Sequence, residues 1–251
     1  MICSKYSASG NDFIVTHSFK EADRRELAVR LCDRGHGVGA DGLIVLIPHS
    51  KYDYAWEFYN ADGSLAALCG NGARAAALYA FDNKLAGEKQ RFLTGAGVIE
   101  AIVGARGLVE ARLTEPKIIR DDIQELGLTW RLIDAGVPHL TTHSRLSIFD
   151  RLPLSELRMK YDANIDVYSV KSRMIKVRTF ERGVEAETLA CGTGMAACFF
   201  ALYSEKKVAS PCVVFPRNGD KILLSIVDNR VCIKGKTVKL FDAIINDEQA
   251  V

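Results

Sequence analysis

Apolar and polar positions alternate in short runs along most of this chain, and two segments break the alternation. Strand character marks residues 13–15, 43–47, 56–59, 98–103 and 108–113, then 175–180, 212–215, 221–227, 230–234 and 238–241. Residues 21–34 carry Leu27, Leu31 and Cys32 among charges and stop at Gly35, which predicts an amphipathic surface helix with a glycine stop. Residues 73–81 and 195–203 are apolar nearly all the way round, Arg74 excepted, so each predicts a helix buried inside a core.

The two buried segments open alike. Cys69-Gly70-Asn71-Gly72 precedes the first and Cys191-Gly192-Thr193-Gly194 the second, and aligning the cysteines brings Ala75 onto Ala197. Upstream of each lie a strand and a polar turn, Asn60-Ala61-Asp62-Gly63 in one case and Glu181-Arg182-Gly183 in the other. The pattern predicts an α+β protein of two pseudo-symmetric β-rich lobes, each wrapped around a central buried helix. The N-terminal lobe is expected over residues 1–115 and the C-terminal lobe over 116–251, with the boundary near Pro116 and the last residues free to pack back on the N-terminal lobe. Short strands dominate, without the regular β-α-β alternation of a parallel sheet. Gly37, Gly39 and Gly42 formally match G-x-G-x-x-G, but a helix precedes them and a strand follows, the reverse of a dinucleotide fingerprint.

Composition narrows the partners. The 251 residues are 48% hydrophobic and 25% charged, which excludes a disordered or low-complexity chain. A net charge of +2 and the lack of any run of five Lys/Arg give no footing to nucleic acid or an anionic membrane surface, so a small-molecule partner is expected. The first residues lack a basic region followed by an apolar core, and the longest apolar runs are far short of a bilayer span, so a cytoplasmic location is expected. None of the seven cysteines sits in a C-x-x-C pair. Cys3, Cys32, Cys198, Cys212 and Cys232 lie in apolar or strand-like stretches and are expected to pack as small hydrophobes.

Cys69 and Cys191 differ from these, since each stands immediately before a Gly-x-Gly that begins a buried helix. First-turn N–H groups and the positive end of the helix dipole stabilise an anion there, and a thiolate equally, so lowered thiol pKa values are expected. Glycines let a carboxylate approach the backbone. Two such frames facing one another suit inversion of a carbon centre: one thiolate removes the α-proton, the other thiol delivers a proton to the opposite face, and the amides hold the α-carboxylate. Neither metal nor pyridoxal phosphate is then needed, and no cofactor is expected. His139 and His143 flank Leu140-Thr141-Thr142, not the H-E-x-x-H of a zinc helix. Asp41 and Asp62 each precede a glycine and are expected as turn residues, and Arg74 as the partner of a buried carboxylate.

These residues also resemble a family. Asn60-Ala61-Asp62-Gly63-Ser64 with Cys69-Gly70-Asn71-Gly72-Ala73-Arg74, and Glu181-Arg182-Gly183 with Glu187-Thr188-Leu189-Ala190-Cys191-Gly192-Thr193-Gly194, are similar to the two signature motifs of the diaminopimelate epimerases. Gly10-Asn11-Asp12-Phe13, Gly39-Ala40-Asp41-Gly42 and Pro138-His139 match further blocks, so the likeness runs over essentially the whole chain. The resemblance implies a cofactor-independent epimerase that interconverts LL- and meso-diaminopimelate, on the route to lysine and peptidoglycan, with Cys69 and Cys191 as the two bases. It puts His139 and Glu181 at auxiliary catalytic positions, Asn11, Asn60, Asn164, Glu181 and Arg182 on the substrate, and the amides of Gly70, Asn71, Gly192 and Thr193 on the α-carboxylate. It also implies a homodimer. Two departures stand out: Val137 replaces the asparagine of the usual Asn-Pro-His, and one extra residue lies between Gly183 and Glu187. The first keeps open a racemase of another amino acid with the same mechanism. A thiol hydrolase using Cys191 with His139 leaves Cys69 unexplained, and a non-catalytic amino-acid-binding protein leaves both thiols without purpose.

Overall fold

Residues 1–246 are described in the computed structural model. The first stretch of chain forms β1 (Ile2–Ala8), β2 (Asn11–His17), α1 (Arg25–Cys32), β3 (Gly42–Ile47), β4 (Tyr54–Asn60), α2 (Gly70–Asp82), β5 (Lys89–Thr94), β6 (Gly97–Val103) and β7 (Leu108–Arg112). There follow β8 (Lys117–Glu125), β9 (Leu128–Asp134), β10 (Pro138–His143), α3 (Leu154–Tyr161), β11 (Asn164–Lys171), β12 (Met174–Glu181), β13 (Ala186–Glu187), α4 (Gly192–Ser204), β14 (Cys212–Phe215), β15 (Ile222–Val227) and β16 (Arg230–Ile244). Two units result. One is Met1–Ala111 together with the chain from Lys236, and the other is Arg112–Gly235. The crossing thus falls a few residues before Pro116, and the return of the chain to the first unit starts at Lys236.

In the first unit the strand order is β1-β2-β3-β4-β5-β6-β7-β16, and β1 pairs antiparallel with β16 as well as with β2, which closes the sheet on itself. The sheet wraps α2. Every residue from Gly70 to Ala80 of that helix is buried, and Ala73, Ala75, Ala76, Ala77 and Ala80 present the small side chains that let β1, β2, β3 and β6 approach it. Helix α1 covers the sheet from another side, where Ala28, Leu31 and Cys32 join Leu43, Val45 and Tyr59 in a core.

The second unit has strand order β16-β15-β14-β12-β11-β10-β9-β8 and packs α4 against β9, β10, β11, β12 and β14. Its outer helix α3 contributes Leu157 to a core with Trp130, Leu140, Phe149, Ile165 and Val167. Residues 230–234 and 238–241, expected as two strands, belong to one, β16. Its first part pairs with β15 and its second with β1.

The repeat is longer than the two Cys-Gly-x-Gly frames. In the first unit β2-α1-β3 and β4-α2-β5 are parallel pairs joined through a helix, and in the second β10-α3-β11 and β12-α4-β14 are the same. A parallel pair requires such a crossover. Antiparallel neighbours, β3 with β4 and β11 with β12, separate the crossovers, which is why no regular β-α-β alternation is visible along the chain. Among the described residues no helix is long and apolar enough to cross a membrane.

Candidate active site at two cysteine-capped helices

Each buried helix begins at a cysteine. Cys69 (φ −143°, ψ 121°) and Cys191 (φ −107°, ψ 115°) are extended N-cap residues, and each sulfur accepts a hydrogen bond from a first-turn amide, Gly72 N or Gly194 N, at 3.4 Å. The N–H groups of Gly70 and Asn71, and of Gly192 and Thr193, belong to the same first turns, whose amides have no partner within a helix. All seven cysteines are thiols, and Cys3, Cys32, Cys198, Cys212 and Cys232 are buried as expected of packing residues.

Around Cys69, Asn11 is the hub. Its Oδ1 faces the thiol at 3.7 Å and accepts from Asn71 Nδ2 at 3.3 Å, while its Nδ2 donates to Asp41 Oδ2 at 2.6 Å. Arg74, buried in α2, donates to Asn71 Oδ1 at 2.7 Å, to Ser9 Oγ at 3.2 Å and to the Lys236 carbonyl at 3.3 Å, so it sets which way the Asn71 amide points. Asp41 is therefore more than a turn residue. It also accepts from the Asp12 amide and from Arg34, and Arg34 and Lys5 both bind Asp12 at 2.8 Å. Burial alone raises the Asp12 carboxyl, but the bonds from Arg34 and Lys5 outweigh it and hold the group at about 2. Asn60, at the end of β4, donates to Ser64 Oγ at 2.9 Å within the turn that leads to Cys69.

Around Cys191 the partners are different in kind. The sulfur lies 3.4 Å from Thr193 Oγ1, and Thr193 Oγ1 lies 2.9 Å from His139 Nε2. Asn164 Nδ2 donates to the Pro138 carbonyl at 3.1 Å and stands 3.4 Å from the same His139 nitrogen, while its Oδ1 accepts the Arg182 amide at 2.8 Å. The Arg182 guanidinium donates to Asp162 at 3.0 Å. Burial pushes the Cys191 thiol well above its ordinary value, the Glu181 and Asp166 carboxylates push the same way, and the bonds from Thr193 and Gly194 oppose them. The lowering expected from the helix terminus is thus outweighed at this cysteine, because a buried thiolate is poorly solvated.

Asn11, Cys69, Gly70 and Asn71 converge at one helix end, and His139, Asn164, Cys191, Gly192 and Thr193 at the other. Asp41, Arg74, Asp166 and Thr179 also belong to these networks, and nothing in the sequence reading singles them out for that role. For Asp166 a signal exists: a lone carboxylate inside the apolar run Ile165-Asp166-Val167 of β11.

The strand registers give the residue correspondence between the halves. Phe13 lies opposite Gly42 in one and His139 opposite Asn164 in the other, so Asn11, two positions before Phe13, matches Val137. The second half-site has no amide where the first has its hub.

A family model for diaminopimelate epimerase matches residues 3–119. The chain is 52% identical over 240 residues to the diaminopimelate epimerase of a Nitratiruptor species, covering 95% of this chain and 96% of that one. With the enzyme of the same name from Campylobacter jejuni (strain 81-176) it shares 46% over 244 residues (96% and 98% covered), and with that of a Helicobacter pylori strain 37% over 253 (94% and 93%). Among solved structures, a hydroxyproline epimerase from Agrobacterium vitis superposes with a TM-score of 0.77 at 14% identity, over 100% of this chain and 94% of that chain. A predicted epimerase from Pseudomonas aeruginosa also gives 0.77 at 14%, over 98% and 99%. These two likenesses concern the fold.

Proposed function

The chain belongs to the diaminopimelate epimerase family, and we propose that it epimerises LL-2,6-diaminopimelate to the meso form with Cys69 and Cys191 as the two acid–base groups. The observation that carries the chemical part of this reading is the matched capping of two buried helices by thiols. One thiolate takes the α-proton while the other thiol supplies a proton to the opposite face, and the first-turn amides of Gly70, Asn71, Gly192 and Thr193 balance the charge that develops on the α-carboxylate. Asn11, Asn60, Asn164, Glu181 and Arg182 bind the zwitterionic ends of the substrate, and His139 serves the Cys191 side. The reaction so written needs neither pyridoxal phosphate nor metal. A homodimer acting in the cytoplasm, on the route to lysine and peptidoglycan precursors, completes the proposal.

A second reading, a racemase of another amino acid with the same mechanism, is favoured by one observation: Val137 stands where the first half-site has Asn11, and it offers a substrate no polar atom in its side chain. An unmatched buried polar group costs about 1–3 kcal/mol, enough to weaken binding of diaminopimelate without abolishing it.

Incubation of the purified protein with LL-diaminopimelate in deuterium oxide and a chelator tests both. Deuterium should enter the α-position with inversion. Cys69→Ala and Cys191→Ala should each lose at least about 10²–10³-fold in turnover, as loss of a single oxyanion donor already does, and Cys198→Ala should retain activity. Near-normal turnover in either single-cysteine variant refutes the two-base assignment. Faster exchange with an amino acid lacking the distal zwitterion turns the choice to the second reading.

A further inference from the structure

Three positions that are apolar and buried in the first half-site are polar, buried and joined to one another in the second. The registers pair Phe13 with Gly42 and His139 with Asn164, which aligns Phe13 with His139 and, two residues along each partner strand, Ile44 with Asp166. Ile44 lies opposite Phe58 as Asp166 lies opposite Thr179, which aligns Phe58 with Thr179. The glycines of the two helices agree with this match: a Cβ on Gly72 would meet Ile44, and one on Gly194 would meet Asp166 and Thr179. Phe13, Ile44 and Phe58 show that hydrocarbon suffices to pack this scaffold against its central helix. Replacing such packing by a buried charged group is costly unless the group is fully paired. His139 and Asp166 are wholly inaccessible, so their presence calls for a chemical reason.

The hydrogen bonds run in one direction. Asp166 accepts from Thr179 Oγ1 at 2.6 Å on one oxygen and contacts His139 Nδ1 at 2.7 Å with the other, so Nδ1 carries the proton and donates it. The Asn164 amide is oriented by backbone on both sides, its oxygen receiving Arg182 N–H and its nitrogen donating to the Pro138 carbonyl, so what it offers His139 Nε2 is a donor. Nε2 is therefore the bare nitrogen. The Thr193 hydroxyl, 2.9 Å away, donates to it and is left to accept the Cys191 S–H at 3.4 Å.

We propose that Asp166 is a positioning residue that holds His139 as an internal proton acceptor for Cys191, reached through the Thr193 hydroxyl. The Cys191 proton passes to Thr193 Oγ1 as the Thr193 proton passes to His139 Nε2. The S–H bond and the original O–H bond break, a new O–H and an N–H bond form, and a thiolate and an imidazolium result with no net change of charge. The Asp166 carboxylate lies against the new cation, and reversal restores the thiol. The Glu181 and Asp166 carboxylates disfavour a thiolate at Cys191, and an imidazolium formed with it supplies the opposite charge. In the first half-site Asn11 Oδ1 faces Cys69 at 3.7 Å, an acceptor that takes up no proton.

The inference rests on Cys191 being an acid–base thiol, and its test needs no substrate, so failure of the epimerase reading and failure of the path are separately visible. Iodoacetamide labelling of the whole protein at neutral pH, quantified at each cysteine by peptide mass spectrometry, compares the reactivity of Cys191 in parent and variants, with Cys69 as the reference in the same molecule. Asp166→Asn and Thr193→Val should each slow labelling at Cys191 by roughly tenfold or more and leave Cys69 within about twofold, whereas Thr193→Ser should restore the Cys191 rate. The ¹⁵N spectrum of histidine-labelled protein should show His139 protonated at Nδ1 and bare at Nε2. Unchanged Cys191 labelling in both variants, a parallel fall at Cys69, or an Nε2–H tautomer of His139 would overturn the proposal.

Discussion

Asn11 can face Cys69 with its oxygen only because its nitrogen is taken by Asp41, and Asp41 stays in place because Arg34 spans it and Asp12. The stability of this small ionic cluster is therefore also the stability of a site residue. Asp12 is held at about 2, below the roughly 3.9 of an unfolded aspartate, so its contribution is complete above about pH 4 and is lost as pH falls through about 2. Asp12→Asn should destabilise the protein by about 1–2 kcal/mol at neutral pH, since it leaves Lys5, only 5% exposed, without its carboxylate. The gap between variant and parent should close as pH is lowered across that window. Urea midpoints measured in steps from neutral to acid pH check this, and a gap that persists unchanged to the acid limit would assign the loss to packing. From sequence, Asp41 precedes a glycine and local spacing explains it fully as a turn former, while Asp12, between Asn11 and Phe13, carries no signal of its own. Their convergence on Asn11 is a fact of strands from distant parts of the chain lying side by side.

At the scale of elements the two cysteine-capped helices look interchangeable, yet their first turns meet different neighbours. A methyl added at Gly72 would come to 3.3 Å from Cys69 Cβ and from Ile44 Cδ1, a contact that a flexible side chain can relieve. At Gly194 it would strike the Asp166 carboxylate and Thr179 Oγ1, which are fixed by hydrogen bonds to each other and to His139. Alanine in a helix is otherwise favoured over glycine by roughly 1 kcal/mol. Gly72→Ala should therefore stay within about 1 kcal/mol of the parent, while Gly194→Ala should cost about 1–3 kcal/mol through overpacking and slow labelling of Cys191 as well. Chemical denaturation of the two variants tests the contrast, and equal losses would mean that the second network yields as readily as a hydrocarbon contact.

The same elements show what the chain's pattern could convey. Both buried helices, their cysteine caps and most strands of the first unit are legible because burial on one face writes itself into alternation or its loss. The strands β8, β9, β10 and β11 and the helix α3 are not legible in this way. In β8 only Ile123 is buried, in α3 only Leu157, and β9 buries just Trp130 and Ile133, so these three lack the periodic face that a sequence reading needs, whereas β10 and β11 are buried nearly throughout but carry His139, Thr141, Thr142, Asn164 and Asp166 where apolar residues would have marked them. The correspondence of Phe13, Ile44 and Phe58 with His139, Asp166 and Thr179 is hidden for the opposite reason. Residues of contrary polarity occupy equivalent places, and only strand register aligns them.

The whole molecule depends on the chain coming back. Strand β1 lies between β2 and the second part of β16, with Ile2 opposite Ile244 and Ala8 opposite Thr237, and the Met1 and Ile245 backbones exchange hydrogen bonds at 2.8 Å. Cys3, Tyr6 and Ala8 of β1 are buried, as is Thr237. A chain ending at Gly235 would keep every residue assigned to the second unit and strip the first of the strand that closes its sheet. It would also remove the Lys236 carbonyl that Arg74 binds, and Arg74 orients Asn71, which in turn donates to Asn11 beside Cys69. A fresh sheet edge along β1 and the loss of the Lys236 acceptor from the buried Arg74 are costs that the first unit cannot recover from its other contacts. Hydrogen exchange read by mass spectrometry should find the amides of β1, β2 and α2 unprotected in the truncated chain, while those of β11, β12 and α4 keep protection close to that of the intact protein. Epimerase activity should be lost although Cys191 and its partners stay folded. Full protection of α2 in the truncated chain would show that the returning strand is an accessory to the first unit.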